Sequence, residues 1–135
     1  MNKRITSVIL VVMLLISMGT FLVGAVDRGN TKTFTKSIKA FTNNTYIQSV
    51  IKDNVNAAYS AIKIDSESEL SEMNVWVMTS QNDWMSKKQL VSANDSITII
   101  YYYNGTTFTE GASVCFWGEQ GGWQAKAISG KLYSY

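Results

Sequence analysis

Chemistry at neutral pH most often calls on an imidazole, and this chain of 135 residues contains no histidine. No Ser–His or Cys–His pair can form, and the commonest general base is absent. Cys115 stands alone between Val114 and Phe116 in an apolar stretch. It can make no intramolecular disulfide and reads as a buried structural thiol rather than a nucleophile. Carboxylates are the remaining candidates for catalysis. They gather in a Ser-rich segment, Asp65, Glu67, Glu69 and Glu72, which lacks the Gly and closing bidentate Glu of a calcium loop. That segment reads as a solvated loop. There is no Gly-rich phosphate loop, CxxC pair or His-bearing metal motif, so the expectation is a protein that is not an enzyme and takes no metal or cofactor.

Aromatic side chains carry the remaining potential for recognition: four Trp, seven Tyr and five Phe. Trp76, Tyr101, Phe116 and Trp117 lie inside apolar runs and are expected to fill the core. Trp84, Tyr103 and Trp123 sit beside turns, where a large ring is harder to bury. These three are the candidate binding residues. Such rings stack on sugar faces or rest at a membrane interface, because one end is apolar and the other tolerates water.

Short strands are the elements that would position them. Thr33 to Lys39 alternates, with Phe34 and Ile38 inward and Lys36 at an edge or snorkelling. Tyr46 to Ile64 carries a helical stripe at Ile47, Val50, Ile51, Val55, Ala58 and Ile62, yet Asn54 and Asn56 are poor helix formers. Two strands with a turn near Asp53-Asn54 fit this segment better than one helix. Met73 to Thr79 is apolar on both faces, the mark of a central strand, and Lys87 to Val91 reads as a short edge strand guarded by lysines. Ile97 to Tyr103, Ala112 to Gln120 and Trp123 to Ile128 are rich in β-branched and aromatic residues, and Ser129 to Tyr135 closes the chain as a final strand.

Asn104-Gly105 and Gly121-Gly122 are hairpin signals. A two-residue turn at the second would set Phe116 opposite Ala127, Cys115 opposite Ile128, and Trp117 opposite Lys126 in a cation–π pair. The fold expected is all-β, a small antiparallel β-sandwich of six to eight strands over residues 33–135.

The start of the chain has a different composition. Lys3 and Arg4 precede an apolar run from Ile5 to Val23, followed by Val23-Gly24-Ala25. This is the pattern of an export signal helix, cleaved after Ala25, with residues 26–32 as a mobile tail. The alternative is an uncleaved helix anchoring the protein to the membrane. Removing Lys3 and Arg4 brings the basic count level with the ten acidic residues, so no charge excess argues for nucleic acid.

Phe34-Thr-Lys-Ser-Ile-Lys39, Asn44-Thr-Tyr46, Asn74-Val-Trp-Val77 and Ile128-Ser-Gly-Lys131 resemble a family of small exported Gram-positive proteins associated with lactococcin-type bacteriocin systems. The resemblance implies a small secreted β-sandwich and carries no catalytic residues. The chain departs from the family pattern in lacking a Trp before Tyr59 and a Gly-containing turn after Ser68. Two functions are therefore expected: a secreted bacteriocin-like or accessory protein, or a cell-envelope module that binds glycan through exposed aromatics. The expected partner is the cell envelope or a secreted or membrane protein.

Overall fold

A computed structural model describes residues 30–53 and 57–135. The expected export segment and cleavage after Ala25, residues 26–29 of the expected tail, and Asn54 of the expected turn lie outside the described residues. Among the described residues eight strands form: β1 (Asn30–Ile38), β2 (Thr45–Ile51), β3 (Tyr59–Ile64), β4 (Glu72–Met78), β5 (Gln89–Ser92), β6 (Ile97–Tyr101), β7 (Ser113–Glu119) and β8 (Lys126–Ser134). They make two four-stranded antiparallel sheets, ordered β1-β8-β3-β6 and β2-β7-β4-β5. β1 starts earlier than the alternation suggested: Asn30 to Lys32 pair with Ser134 to Leu132.

The sheets close on one apolar core. Phe34, Ile38, Ile62, Ile64, Ile100, Ile128 and Leu132 come from the first sheet; Ile47, Val50, Met73, Val75, Val77, Val91, Val114 and Phe116 come from the second. Along each strand they alternate with residues of the outer face, as a pleated strand requires. β2 is the exception, because Ile47 and Val50 are three apart and a regular strand would point them to opposite faces. A register shift between Tyr46 and Gln48 resolves the conflict. The extra residue lets Ile47 and Val50 both reach the core while Tyr46 stays outside. The same spacing is what imitated a helical stripe.

β4 lies between β7 and β5, with Met73 and Val75 to Met78 buried, as its two apolar faces foretold. β5 is a four-residue edge strand preceded by Lys87 and Lys88. The expected hairpin at Gly121-Gly122 does not form: β7 and β8 belong to different sheets, so Trp117 does not meet Lys126. Neither glycine takes a positive φ, and the Gln120 side chain braces the crossing instead. Its Oε1 accepts from Gly122 N at 2.8 Å and its Nε2 donates to Gln124 O at 2.7 Å. The physical reason is that Phe116 and Ile128 must both face the core, one from each sheet. Asn104 and Gly105 do take positive φ, 52° and 66°, but in a single 3-10 turn that leads from β6 across to β7.

Lys52 and Tyr102 are among the polar groups buried at the end of the sandwich where β2 finishes and β3 begins. Lys52 is enclosed, its Nζ donating to Ala57 O at 2.8 Å and to Tyr135 O, and desolvation lowers its pKa. Tyr102 shares a hydrogen bond with the Ser60 hydroxyl. Burial pushes its phenol up to about 12, against the opposing pull of Ser60. The folded state therefore holds the Tyr102 proton where the unfolded chain releases it. Stability from this group is complete below about pH 10 and is lost as pH rises toward 12, by about 2–3 kcal/mol. Denaturation across that window, compared with Tyr102→Phe, is expected to show a shallower alkaline decline in the variant, both proteins sharing the Lys52 contribution.

Candidate functional site

The outer face of the β2-β7-β4-β5 sheet carries a row of aromatic rings. Register sets it: Tyr46 on β2 faces Trp117 on β7, which faces Trp76 on β4. At strand spacings near 4.8 Å the three rings span roughly 10 Å across the sheet. Tyr46 and Trp117 meet edge to face at 5.5 Å. Trp84 folds back over Trp76 and stacks on it, centroids 5.3 Å apart and planes within 9°. A tight turn makes that return possible: Thr79 N donates to Asp83 O at 2.9 Å, and Thr79 Oγ1 accepts from Gln81 N and Asp83 N.

Cations flank the row. Lys88 Nζ lies 4.7 Å from the Trp76 centroid and 5.9 Å from that of Trp84, and pairs with Glu119 Oε2 at 2.6 Å. Lys36 Nζ lies 5.9 Å from the Tyr46 ring. Ammonium groups over π faces are attracted by the ring quadrupole. Glu119 in turn accepts from Asn74 Nδ2 at 3.4 Å. Trp76 is fully buried and Trp84 is 45% exposed. The indole N–H groups of Trp76 and Trp117 are buried without a hydrogen-bond partner, an unusual state for a polar group.

Beyond Lys88 the platform meets a cleft of about 490 Å³ lined by Lys87, Lys88, Gln89 and residues 101–104. Lys88 belongs to both features, so rings and cleft share a charged edge.

The three candidate binding residues are not brought together. Trp84 lies on the ring row and Tyr103 lines the adjoining cleft. Trp123 follows β7, whereas Trp84 follows β4, and β4 and β7 run antiparallel, so Trp123 is at the other end of the sandwich. There it is 84% exposed and packs edge to face on Phe41 at 5.6 Å. Of the four aromatics expected in the core, Trp76 and Phe116 are fully buried, and Phe116 alone of them packs between the sheets. Trp76 is buried on the outer face beneath Trp84, Trp117 is half-buried beside it, and Tyr101 is 67% exposed. On β6 the core takes Ile100, which leaves Ile97, Ile99 and Tyr101 outside. Tyr46 and Trp117 are members of this ring row that sequence reasoning did not single out as binding candidates. Their signal is the shared outer parity of Tyr46, Trp117 and Trp76, which emerges only when the bulged register of β2 is known.

Two carboxylates do converge, but on the surface around a lysine: Asp65 lies 3.2 Å and Asp95 3.8 Å from Lys63 Nζ. Hydrogen bonds from Ser66, together with Lys63, hold the Asp95 carboxyl below its usual range. This arrangement favours the ionised carboxylate of Asp95. Among the described residues no three acidic, Cys or His side chains are grouped to hold a metal. Cys115 is free and buried, and burial raises its thiol pKa, which disfavours the reactive thiolate. No protein-family model, curated protein or solved structure matches the chain.

Proposed function

We propose that this chain is an exported, non-enzymatic β-sandwich that works by binding glycan at a bacterial cell envelope. The observation that carries the reading is the ring row Tyr46–Trp117–Trp76 with Trp84 above it and Lys36 and Lys88 at its flanks. The accessible surfaces of Tyr46, Trp117 and Trp84 offer apolar ring area to the C–H faces of sugar units. The lysines at its flanks favour a glycan bearing negative charge. The export pattern at residues 1–25 supports placing this face outside the cell.

The test is retention of the full-length chain on isolated Gram-positive cell walls, followed by co-sedimentation and tryptophan emission. Trp84→Ala and Tyr46→Ala are each expected to weaken binding about tenfold or more, a loss of about 1.4 kcal/mol or above. Trp123→Ala, at the far end, is expected to bind walls as the wild type does. Wall binding unchanged by both Trp84→Ala and Tyr46→Ala would remove the reading.

A second reading, a bacteriocin-like antagonist that acts on a competitor's membrane, draws on the other end of the molecule. Phe41 and Trp123 form an exposed aromatic pair at a loop tip, the kind of group that settles at a bilayer interface. Under this reading lipid vesicles retain the protein, and Phe41→Ala or Trp123→Ala releases it while wall binding is unaffected.

A further inference from the structure

The cleft beside the ring row exists because two neighbouring edge strands belong to different sheets. β5 ends one sheet and β6 the other, so the two do not pair along their length. A single antiparallel bridge joins Ser86 to Tyr102, and Tyr103 N donates to Met85 O at 2.8 Å. Beside that bridge the segments carrying Lys87 and Tyr101 part, and about 490 Å³ opens between them. Such a volume is in the range of pockets that enclose a small ligand.

Its lining is chemically one-sided. Lys87 and Lys88, the amides of Gln89 and Asn104 and the phenols of Tyr101 and Tyr103 surround it, and no carboxylate does. Buried Tyr102 closes the inner wall, with its hydroxyl bonded to Ser60. The other two phenols and both amides make no side-chain hydrogen bond among the described residues. Lys88 is already committed, its Nζ 2.6 Å from Glu119 Oε2, which offsets its charge. Lys87 is exposed and has no acidic partner among the described residues. The cleft therefore holds one uncompensated positive charge among free hydrogen-bond donors. An anionic oxygen satisfies ammonium, amide and phenol donors together, and charge-assisted bonds of that kind are the stronger ones. A cation would meet Lys87 with like charge, and an apolar group would leave the donors without partners.

We infer that this cleft is the subsite for an anionic substituent, a phosphate diester or a carboxylate, of the glycan that lies on the ring row. The inference rests on the glycan reading and says where the ligand's charge is bound. Lys88 joins the two parts, 5.9 Å from the Trp84 ring centroid and on the rim of the cleft. A ligand whose sugar face covers Trp84 meets the cleft on its Lys88 side, where Lys87 takes the acid. Lys87 rather than Lys88 then separates charged from neutral glycan, because Glu119 has already answered Lys88.

The test is co-sedimentation of the full-length chain with isolated Gram-positive walls, before and after hydrofluoric acid removes phosphodiester-linked polymers. Lys87→Gln is expected to bind untreated walls about threefold to fivefold more weakly, the scale of one exposed ion pair, and to lose part of the salt dependence. Lys87→Arg keeps the charge and is expected to bind as the wild type does. Lys131→Gln removes an equal charge from exposed β8 in the other sheet and is expected to change nothing. For a phosphate diester, acid treatment closes the gap between wild type and Lys87→Gln; for a carboxylate, the gap persists on treated walls. Equal binding of wild type and Lys87→Gln to untreated walls, or equal losses from Lys87→Gln and Lys131→Gln, would overturn the subsite. Failure of the glycan reading shows separately, as wild-type binding by Trp84→Ala and Tyr46→Ala.

Discussion

Gly130→Ala is expected to unfold much of the population, at a cost of about 3 kcal/mol or more, measured by chemical denaturation. Gly130 sits on β8, an interior strand, opposite Phe34 on β1 and Ile64 on β3. A β-carbon there would run into the main-chain oxygen of Lys63, with the Phe34 ring 3.1 Å away on another side. Main chain held in a ladder on both sides cannot step aside without breaking its hydrogen bonds. Gly118 on β7 is the informative comparison. Its added β-carbon would meet the Met73 methyl, the far end of a flexible thioether that can turn away. Gly118→Ala is therefore expected to cost about 1 kcal/mol, and a loss equal to that of Gly130→Ala would contradict the distinction.

Trp76→Ala is expected to lower stability by about 3–5 kcal/mol and to abolish wall binding. The ring is fully enclosed although it faces away from the core, because Trp84 and Lys88 cover it. Removing it leaves a void under Trp84 and takes the centre out of the ring row. Trp76→Phe separates the two effects. It keeps an apolar ring in place and is expected to recover most of the stability while losing the indole N–H. Residual binding of Trp76→Phe, set against its stability, reports how much recognition rests on the seat that Trp76 gives Trp84. A fully stable Trp76→Ala would show that Trp84 is not seated on it.

The strands themselves were legible from alternation. Phe34 and Ile38, Val75 and Val77, and the short lysine-guarded β5 all lie where local pattern puts them, since two-residue periodicity needs only neighbours. Lys36, read as an edge or snorkelling residue, is half-buried with its ammonium near Tyr46. Pairing was not legible, because it depends on which segments share a sheet. Gly121-Gly122 has the composition of a tight turn, but burying Phe116 and Ile128 from opposite sides outweighed that local preference. The candidate binding face was legible only in part. Trp84 and Tyr103 stood out beside turns, whereas Tyr46 and Trp117 join the site through a cross-strand register with a bulge. For Tyr101, both parities of β6 are apolar, so composition could not say which one faces the core.

The strand order also dictates when this chain can fold. The interior strands β7 and β8 come last in sequence, and until they arrive β1 and β2 have no partner in either sheet. A growing or threading chain that lacks them can form only the β3–β6 and β4–β5 pairs, each marginal alone in water. Commitment to the native sandwich thus waits for the C-terminal segment, as contacts distant in sequence delay folding generally. A polypeptide emerging from its N-terminal end would stay loose through passage and lock only once its last strands were delivered.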